Sequence, residues 1–508
     1  MAETQRRDPY DLLVVGGGIN GAGIARDAAG RGLSVLLVEQ EDLASHTSSA
    51  STKLIHGGLR YLEYGEFRLV REALIERERL WGMAPHIIWP LRFVLPQTQS
   101  PRPAWMVRLG LFLYDHLGGR KKLPGTDTID LARTPFGNGL KASRGKAFVY
   151  SDCWVEDSRL VVLNAIDAAE RGADIRTRTR LIDARREGTE WCATVADHRG
   201  SHSVRARVLV NAAGPWVAEV LGRVPDVVAD RGLRLVKGSH LVVPRLYEGD
   251  HAFMLQNPDR RIVFTVPYEG AFTLIGTTDA VWEGAPGRAQ ISEEETRYLL
   301  DTAARYFAHA PGAADIVWSY AGIRPLYDDK KGNASAVTRD YVLDLDGGEG
   351  QAPMLSIFGG KITTYRKLAE HALAELAPYL PASAAWTAGA ALPGGDIADG
   401  DFEAFLSALQ AARPGLPAAL LRRLARAYGT RVAALLGDAT RMADLGEDFG
   451  GGLTEREVSY LRDREWAETA EDILFRRSKL GLHVPSGTME RLADYLARDV
   501  APGLRRSA

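Results

Sequence analysis

The stretch Asp11–Glu39, DLLVVGGGINGAGIARDAAGRGLSVLLVE, decides the first question of fold. Its apolar start, Asp11–Val15, predicts a short buried strand running straight into Gly16-Gly17-Gly18-Ile19-Asn20-Gly21. Gly16, Gly18 and Gly21 fill a G-x-G-x-x-G pattern; Ile19–Arg31 predicts a helix with apolar Ile19, Ala22, Ala25 and Ala29, and Ser34–Glu39 a second strand. Together these make one βαβ unit of a dinucleotide-binding fold. Gly16 permits a tight turn, Gly18 lets a pyrophosphate approach the backbone, and Gly21 lets helix and strand pack closely. The helix N-terminus turns free N–H groups and a positive dipole end toward phosphate. Glu39, 23 positions after Gly16, is placed to accept hydrogen bonds from ribose hydroxyls and disfavours a 2′-phosphate.

The rest of the composition is that of a folded, water-soluble chain. Its 508 residues suggest about three domains at ~150 residues each. Hydrophobic residues make up 45% and charged residues 25%, which excludes a largely disordered chain. A formal net charge of -2 gives no global basic field for nucleic acid. Of the 63 cationic residues only 11 are lysine; the 52 arginines read as compositional bias, most of them solvated surface charge. Cys153 and Cys192 are the only cysteines and neither lies in a CxxC, which argues against a cysteine-rich zinc site or a disulfide framework and fits a reducing, cytoplasmic compartment. Met1–Asp11 is polar and unlike a signal peptide, and no run of 18 apolar residues is present to cross a bilayer as a helix. Lying on a membrane surface is still open.

After Glu39 the chain does not continue into a third βα unit, as a simple nicotinamide-dependent dehydrogenase would. It gives Leu43–Lys53, LASHTSSASTK, and then Ile55–Leu62, IHGGLRYL. Small hydroxyls and glycines in such a stretch suit a chain laid along a pyrophosphate and a flavin ring, against the blander reading of a polar loop.

At this point the sequence closely resembles the FAD-dependent (aerobic) sn-glycerol-3-phosphate dehydrogenase family. The resemblance is carried by the N-terminal unit, by Thr47–Glu63, and by YSDCWVEDSRLV (Tyr150–Val161), NAAGPW (Asn211–Trp216), KGSHLVVPR (Lys237–Arg245) and IGTTD (Ile275–Asp279). It continues through GIRPL (Gly322–Leu326), TRDY (Thr338–Tyr341), FGGKITTYRKLAEHAL (Phe358–Leu373), LPGG (Leu392–Gly395) and DLGEDFG (Asp444–Gly450), and so spans nearly the whole chain. His46 is a local variation inside the hydroxyl-rich loop.

The resemblance implies an α/β and α+β architecture: a glutathione-reductase-like FAD-binding domain of D-amino-acid-oxidase type, an antiparallel-sheet substrate domain over the flavin, and a C-terminal helical domain. The expected boundaries are 1–80, 150–230 and 335–385 for the discontinuous FAD domain, 81–149 and 231–334 for the substrate cap, and 386–508 for the helical domain. Local patterns agree coarsely. Val208–Val210 closes as a strand on Asn211–Gly214, while Lys237–Pro244 and Arg261–Thr278 hold β-branched and aromatic runs between Gly and Pro breaks. Leu420, Leu421, Leu424, Ala427 and Tyr428 recur at helical spacing, and Pro381–Gly400 reads as a linker.

Expected cofactor contacts by resemblance are Gly16, Gly17, Gly18, Ile19, Asn20, Gly21, Glu39, Thr47, Ser48, Ser49, Ser51, Lys53, Leu54, His56, Gly57, Gly58, Gly214, Gly359, Gly360, Lys361 and Thr363. Arg60, Tyr61, Thr277, Thr278 and Arg339 are expected to hold the substrate, because planar guanidinium groups suit a phosphate dianion. His240 is the first candidate for proton acceptor, since an imidazole of ordinary pKa accepts a proton near neutrality. Arg324 would lie near the reacting carbon and is the rival for that role. Lys361, at a strand–Gly-Gly–helix junction, would stabilise anionic charge on the flavin edge or on the substrate. No metal is expected.

One segment bears on the electron acceptor. Residues 86–122 interleave apolar and aromatic residues with Arg92, Arg102, Arg108, Arg120, Lys121 and Lys122, against the single acid Asp115. That composition suits an interfacial segment on anionic lipid; a buried amphipathic hairpin is the plainer alternative. The resulting expectation is a peripheral enzyme on the cytoplasmic face of the cell membrane. It oxidises sn-glycerol 3-phosphate to dihydroxyacetone phosphate by hydride transfer from C2 to FAD and passes electrons to a membrane quinone. A homodimer is compatible with it. An oxygen-reducing glycerol-3-phosphate oxidase is the near alternative. A flavin amino-acid or amine oxidase needs only one carboxylate-binding arginine, and a non-enzymatic dinucleotide-binding protein has no use for His240, Arg324 and Lys361 together.

Overall fold

Buried, unbroken apolar runs set the first layer. Tyr10–Val15 and Val35–Val38 carry no polar alternation, so both faces must be covered, as in a parallel sheet. The computed structural model, which describes residues 9–227, 232–327, 340–381 and 383–498, shows this arrangement. Tyr10–Val15 lies between Gly200–Asn211 and Val35–Val38, parallel to both, with Leu13 opposite Leu209 and Leu36. Met354–Phe358 extends the parallel order beyond Gly200–Asn211 and Asp174–Arg176 beyond Val35–Val38, while Val342–Asp346 closes one edge antiparallel. Gly200–Asn211 also pairs antiparallel with Glu190–Asp197, which pairs in turn with Arg180–Glu187. Helices Ile19–Gly30, Asp157–Glu170 and Tyr365–Glu375 share one hydrophobic core with this sheet.

The second layer is a ten-stranded, mostly antiparallel sheet. Leu233–Pro244 is central to the site, paired with Phe272–Gly276 on one side and Trp318–Tyr327 on the other. Ile88–Pro96 joins Ala252–Gln256 to Lys146–Val155, which also receives Leu54–Ile55. This corrects the expected boundary at residue 150: the strand crossing it is bonded into the second sheet, and the chain returns to the first layer at helix Asp157–Glu170.

The C-terminal part is helical, with its own core around Leu420, Leu421, Leu424, Tyr428, Leu461 and Ile473. The stretch 381–400 is not a free linker. Trp386 Nε1 donates to the Asp27 carbonyl at 3.1 Å, and the Arg26 and Arg171 guanidinium carbons lie 4.9 and 4.1 Å from the centres of its rings. Six arginines among the described residues are not surface charge. Arg26, Arg77, Arg159, Arg366, Arg476 and Arg477 are buried, each against a carboxylate.

The segment 86–122 divides in two. Its first part, Ile88–Pro96, is an inner strand of the second sheet, buried except at Trp89, Pro90 and Arg92. Arg92 is committed to Ser151, Asp127 and two backbone carbonyls, and Arg102 to Glu63 and Gln256. The second part, helix Ala104–Leu117, buries Val107, Leu111 and Tyr114 and exposes Trp105, Met106, Leu109 and Phe112. Trp105 is 70% exposed, and Tyr64 and Phe67 are exposed on elements that pack beside this helix. No helix among the described residues is long and apolar enough to cross a membrane.

His86 sits at the contact between the first layer and the C-terminal domain. It is fully buried, and neither ring nitrogen has a hydrogen-bond partner. Burial, followed by the charges of Arg159 and Arg426, pushes its pKa from 6.5 down to about 3. The fold therefore holds the neutral ring, and that contribution is complete above the unfolded value of about 6.5 and is lost as pH falls from there toward 3, at about 1.4 kcal/mol per pH unit. His86→Leu should narrow the stability gap between pH 7.5 and pH 5 by about 2 kcal/mol in urea unfolding. An unchanged gap would show that His86 is not the group being titrated.

Candidate active site

Three parallel strands of the first sheet end side by side and deliver their next residues to one crevice. Val15 leads into Gly16, Asn211 into Ala212–Gly214, and Phe358 into Gly359-Gly360. The carboxyl ends of parallel strands are where an open α/β sheet binds ligands. Gly16 has φ +115°, and a Cβ there would lie 2.5 Å from the Ala212 carbonyl oxygen; a Cβ on Gly21 would lie 1.9 Å from the Gly16 oxygen. The turn thus requires glycine at both ends. Gly17 faces away from the crevice and donates its N–H to Glu39 at 2.6 Å. Glu39 also accepts from the Glu41 N–H at 2.8 Å, and burial raises its pKa to about 7 against the lowering effect of these bonds.

The crevice consists of two cavities that meet. One lies between Gly16–Asn20, Glu39 and Gly214–Trp216, the other between Leu54–Tyr61, His240, Arg324 and Lys361–Thr363. Both are lined by Ile19, Thr47, Ser48, Pro325 and Gly360. This continuous, bent cleft fits an extended dinucleotide with a ring system at its far end. The loop Thr47–Ser49 is held at its floor: Ser48 Oγ accepts from the Ile19 N–H at 3.0 Å, and Thr47 Oγ1 donates to the Ile323 carbonyl at 2.6 Å. Asn20 Nδ2 donates to the Gly359 carbonyl at 3.0 Å, leaving a buried Oδ1 with no protein partner, as a missing cofactor hydroxyl or N–H would. Thr363 Oγ1 accepts from the His56 N–H at 3.2 Å and ties the Gly359–Thr363 turn to the second wall.

The second sheet contributes the reactive side chains through gaps left by glycine. His240 lies opposite Gly276 and Tyr320 in the ladder. A Cβ on Gly276 would lie 2.1 Å from the imidazole, which stacks on Tyr320 with ring centres 4.7 Å apart. His240 Nε2 faces Thr52 Oγ1 at 3.0 Å, and Nδ1 has no hydrogen-bond partner. Burial first, then the Arg324 and Lys53 charges, hold its pKa well below 6.5, so the ring is neutral and, against the expectation of an ordinary imidazole, a weak base in this state. Arg324 donates to Thr277 Oγ1 at 2.9 Å and pairs closely with Asp279; a Cβ on Gly238 would lie 2.3 Å from its Nη2. Lys361 Nζ lies 3.7 Å from the centre of the Tyr61 ring, and Arg60 Nη2 donates to the Tyr64 hydroxyl at 3.2 Å. Arg60, Tyr61, His240, Thr277, Arg324 and Lys361 therefore share one cavity.

Several expected contacts are not on this cavity. The Lys53 ammonium is fully buried behind it, bonded to both oxygens of Asp157 at 2.9 and 3.0 Å and to the Ser49 carbonyl. Thr278 Oγ1 accepts from the Ser239 N–H and donates to Glu295 at 2.7 Å, on the opposite side of the extended chain from Thr277. Ser49 Oγ turns to the His46 carbonyl, and Gly57 is wedged under Tyr114, to whose hydroxyl it donates its N–H. Ser51 lines the cavity, but its hydroxyl donates to Asp157. Arg339 lies outside the described residues. Missed in the sequence were Thr52, Asp279 and Tyr320 as partners of the reactive groups; the signal present was glycine inside a strand pattern at Gly238 and Gly276, which marks close approach. Among the described residues no cluster of His, Cys, Asp or Glu is arranged for a metal.

Comparison with known proteins agrees with this fold. The family model described as FAD dependent oxidoreductase matches residues 11–366, and that described as the C-terminal domain of alpha-glycerophosphate oxidase matches residues 385–500. A glycerol-3-phosphate dehydrogenase of Pseudomonas aeruginosa is 57% identical over 96% of this chain and 95% of its own length. A D-erythritol 1-phosphate dehydrogenase of Brucella abortus is 54% identical over 93% of this chain and 95% of its own. The structure of a glycerol-3-phosphate dehydrogenase from Bacillus halodurans complexed with FAD superposes with a TM-score of 0.74 at 27% identity, covering 99% of this chain and 97% of that one.

The two adjacent threonines differ in surroundings, Thr277 on the cavity and Thr278 in a buried hydrogen-bond network. Thr278→Val should lower stability by about 1–3 kcal/mol through its two lost buried hydrogen bonds, with KM little changed. Thr277→Val should leave stability near that of the parent and impair turnover. Unfolding curves and steady-state kinetics on both variants check this, and the reverse pattern would exchange their roles.

Proposed function

The chain belongs to the FAD-dependent oxidoreductases, within the glycerol-3-phosphate dehydrogenase family, and from that footing we propose that it oxidises sn-glycerol 3-phosphate to dihydroxyacetone phosphate and delivers the electrons to a membrane quinone. FAD is its cofactor. The observation that carries the substrate reading is one cavity, at the far end of the dinucleotide cleft, that joins three cationic side chains to a neutral buried imidazole.

FAD, when bound, accepts the hydride from C2. The protein's part is to hold the alcohol and manage its charge. Arg60 and the Tyr61 hydroxyl bind phosphate at the mouth of the cavity, where a guanidinium can meet a dianion through paired hydrogen bonds. Arg324, fixed by Asp279 and Thr277, directs a cation at the C2 oxygen and lowers its affinity for the proton. His240 takes that proton. Its basicity is low without substrate, and the arriving phosphate charge raises it toward the working range. Lys361, at the start of the turn leading to helix Tyr365–Glu375, stabilises negative charge as it develops at the far end of the cleft.

A second reading is favoured by the Brucella abortus relative: a four-carbon polyol phosphate in place of glycerol 3-phosphate. Anaerobic addition of each substrate to the purified holoenzyme separates the two, since the preferred one bleaches the yellow flavin faster at equal concentration. No bleaching by either would reject the phosphorylated-alcohol reading. Reoxidation of the bleached enzyme by a quinone analogue, with slow reaction in air, is the expected result; fast reaction with oxygen would make it an oxidase. Arg324→Ala should lower kcat by about 100-fold or more with FAD retained.

The helix Ala104–Leu117 supports membrane attachment on the cytoplasmic face. Its exposed Trp105, Met106, Leu109 and Phe112 can enter the headgroup boundary, and Arg120, Lys121 and Lys122, exposed just beyond its end, can meet anionic lipid. Trp105→Ser combined with Leu109→Ser should release the protein from vesicles containing anionic phospholipid. Neutralising Lys121 and Lys122 should make binding less salt-sensitive. Unchanged sedimentation with vesicles in both variants would remove this helix from the membrane contact.

A further inference from the structure

The loop 39–54 carries much of the cleft floor, and its internal bonds are local turns that do not reach from one end to the other. Its only regular elements are the single turn Thr47–Ser49 and the two-residue strand beginning at Leu54, and two non-glycine residues, Ala44 and Lys53, have φ near +60°. The loop is fixed from outside at both ends, and both fixings lead to one short segment of the C-terminal domain. At the first end Asp42, 2% exposed, accepts from Arg476 Nε at 2.7 Å and from Arg477 Nη1 and Nη2 at 2.9 and 2.7 Å. At the other end Asp157 receives Ser51 Oγ at 2.8 Å and Lys53 Nζ at 2.9 Å, and Lys479 Nζ lies 3.5 Å from the same carboxylate. Between these points lie Thr47 and Ser48, which face the cleft, and Thr52, which faces His240.

We infer that Arg476, Arg477 and Lys479 are positioning residues for the cofactor: the C-terminal domain holds one end of the loop 42–53 directly at Asp42 and braces the other through Asp157, and thereby sets the affinity of the cleft for FAD. The inference uses the cofactor of the family and is independent of which alcohol is oxidised. The three cations follow one another within four positions, on the π-helical turn Asp472–Arg477 and the residues just after it, where Lys479 itself has φ +61°. An ordinary helix would distribute them around its circumference; here they reach two carboxylates at opposite ends of one loop. Other polar contacts between the same bodies, such as Arg431 with Glu170 at 2.7 Å, do not touch the loop.

The test is FAD binding to apoprotein, followed by quenching of FAD fluorescence, with far-UV circular dichroism melts on the same samples. Asp42→Asn leaves Arg476 with Glu471 and Asp472, and Arg477 with the Glu465 carbonyl. Lys479→Met leaves Asp157 with Lys53 and Ser51. Both variants therefore keep a partner for each buried charge. The expected result is FAD binding at least tenfold weaker in each, apoprotein melts close to the parent, recovery of binding in Lys479→Arg, and parental affinity in Arg431→Met. Parental FAD affinity in both Asp42→Asn and Lys479→Met overturns the inference. So does a loss of affinity that Arg431→Met reproduces or that only tracks a lowered apoprotein melt. Because the readout is FAD binding rather than turnover, failure here leaves the substrate reading untouched.

Discussion

A carboxylate sealed from water must keep cations within reach, and Asp157 has Lys53 bonded to it and Lys479 at 3.5 Å. Burying an ion costs several kcal/mol, and only close pairing with further hydrogen bonds offsets it. The Ser51 hydroxyl and the Ser158 N–H supply those bonds, and the cations hold the acid below the ordinary carboxylate range. The pairing joins parts far apart in sequence. Asp157 begins a helix of the first layer, Lys53 closes the hydroxyl-rich loop, and Lys479 belongs to the last domain. The Lys53 ammonium also lies 5.1 Å from the Tyr320 ring centre, and Tyr320 backs His240. Lys53 and Asp157 act on the imidazole in opposite directions, the one lowering and the other raising its pKa, so burial and Arg324 lead in keeping it neutral.

The two sheets have separate tasks. The first presents backbone: three strand ends, their glycines and one helix N-terminus, all features that hold a phosphate chain without side-chain charge. The second brings His240 and Arg324 to the cavity through spaces left by Gly276 and Gly238, while Lys361 follows a strand of the first sheet and Arg60 lies on the turn Leu59–Tyr64. The cationic cavity is thus assembled from both sheets and the turn between them.

Much of the first task was legible because it is local. The G-x-G-x-x-G turn, its flanking strands and Glu39 lie within 29 consecutive residues, and each glycine has a separate steric reason. The second task was legible only where a motif carried it. His240, Arg324 and Lys361 could be named from family blocks, but the residues that orient them could not, since Thr52 meets His240 across 188 positions and Asp279 meets Arg324 across 45. Thr277 and Thr278 were indistinguishable as letters, although neighbours in an extended chain face opposite ways. Lys53 was drawn into the cofactor set by its hydroxyl-rich neighbours, and no local signal reveals a buried carboxylate 104 positions away. Composition gave no sign of which few arginines are buried: Arg159, Arg476 and Arg477 join the C-terminal domain to the rest through buried ion pairs.

The exposed row Trp105, Leu109 and Phe112 also bears on how the protein behaves in solution. A contiguous apolar face in water is stabilised by whatever covers it. In a dilute, detergent-free buffer the available cover is another copy of the same helix, so the mass of the particle becomes a property of the buffer. An oligomer found there reports this uncovered apolar face, and a subunit interface worth naming is one that persists when amphiphile is supplied.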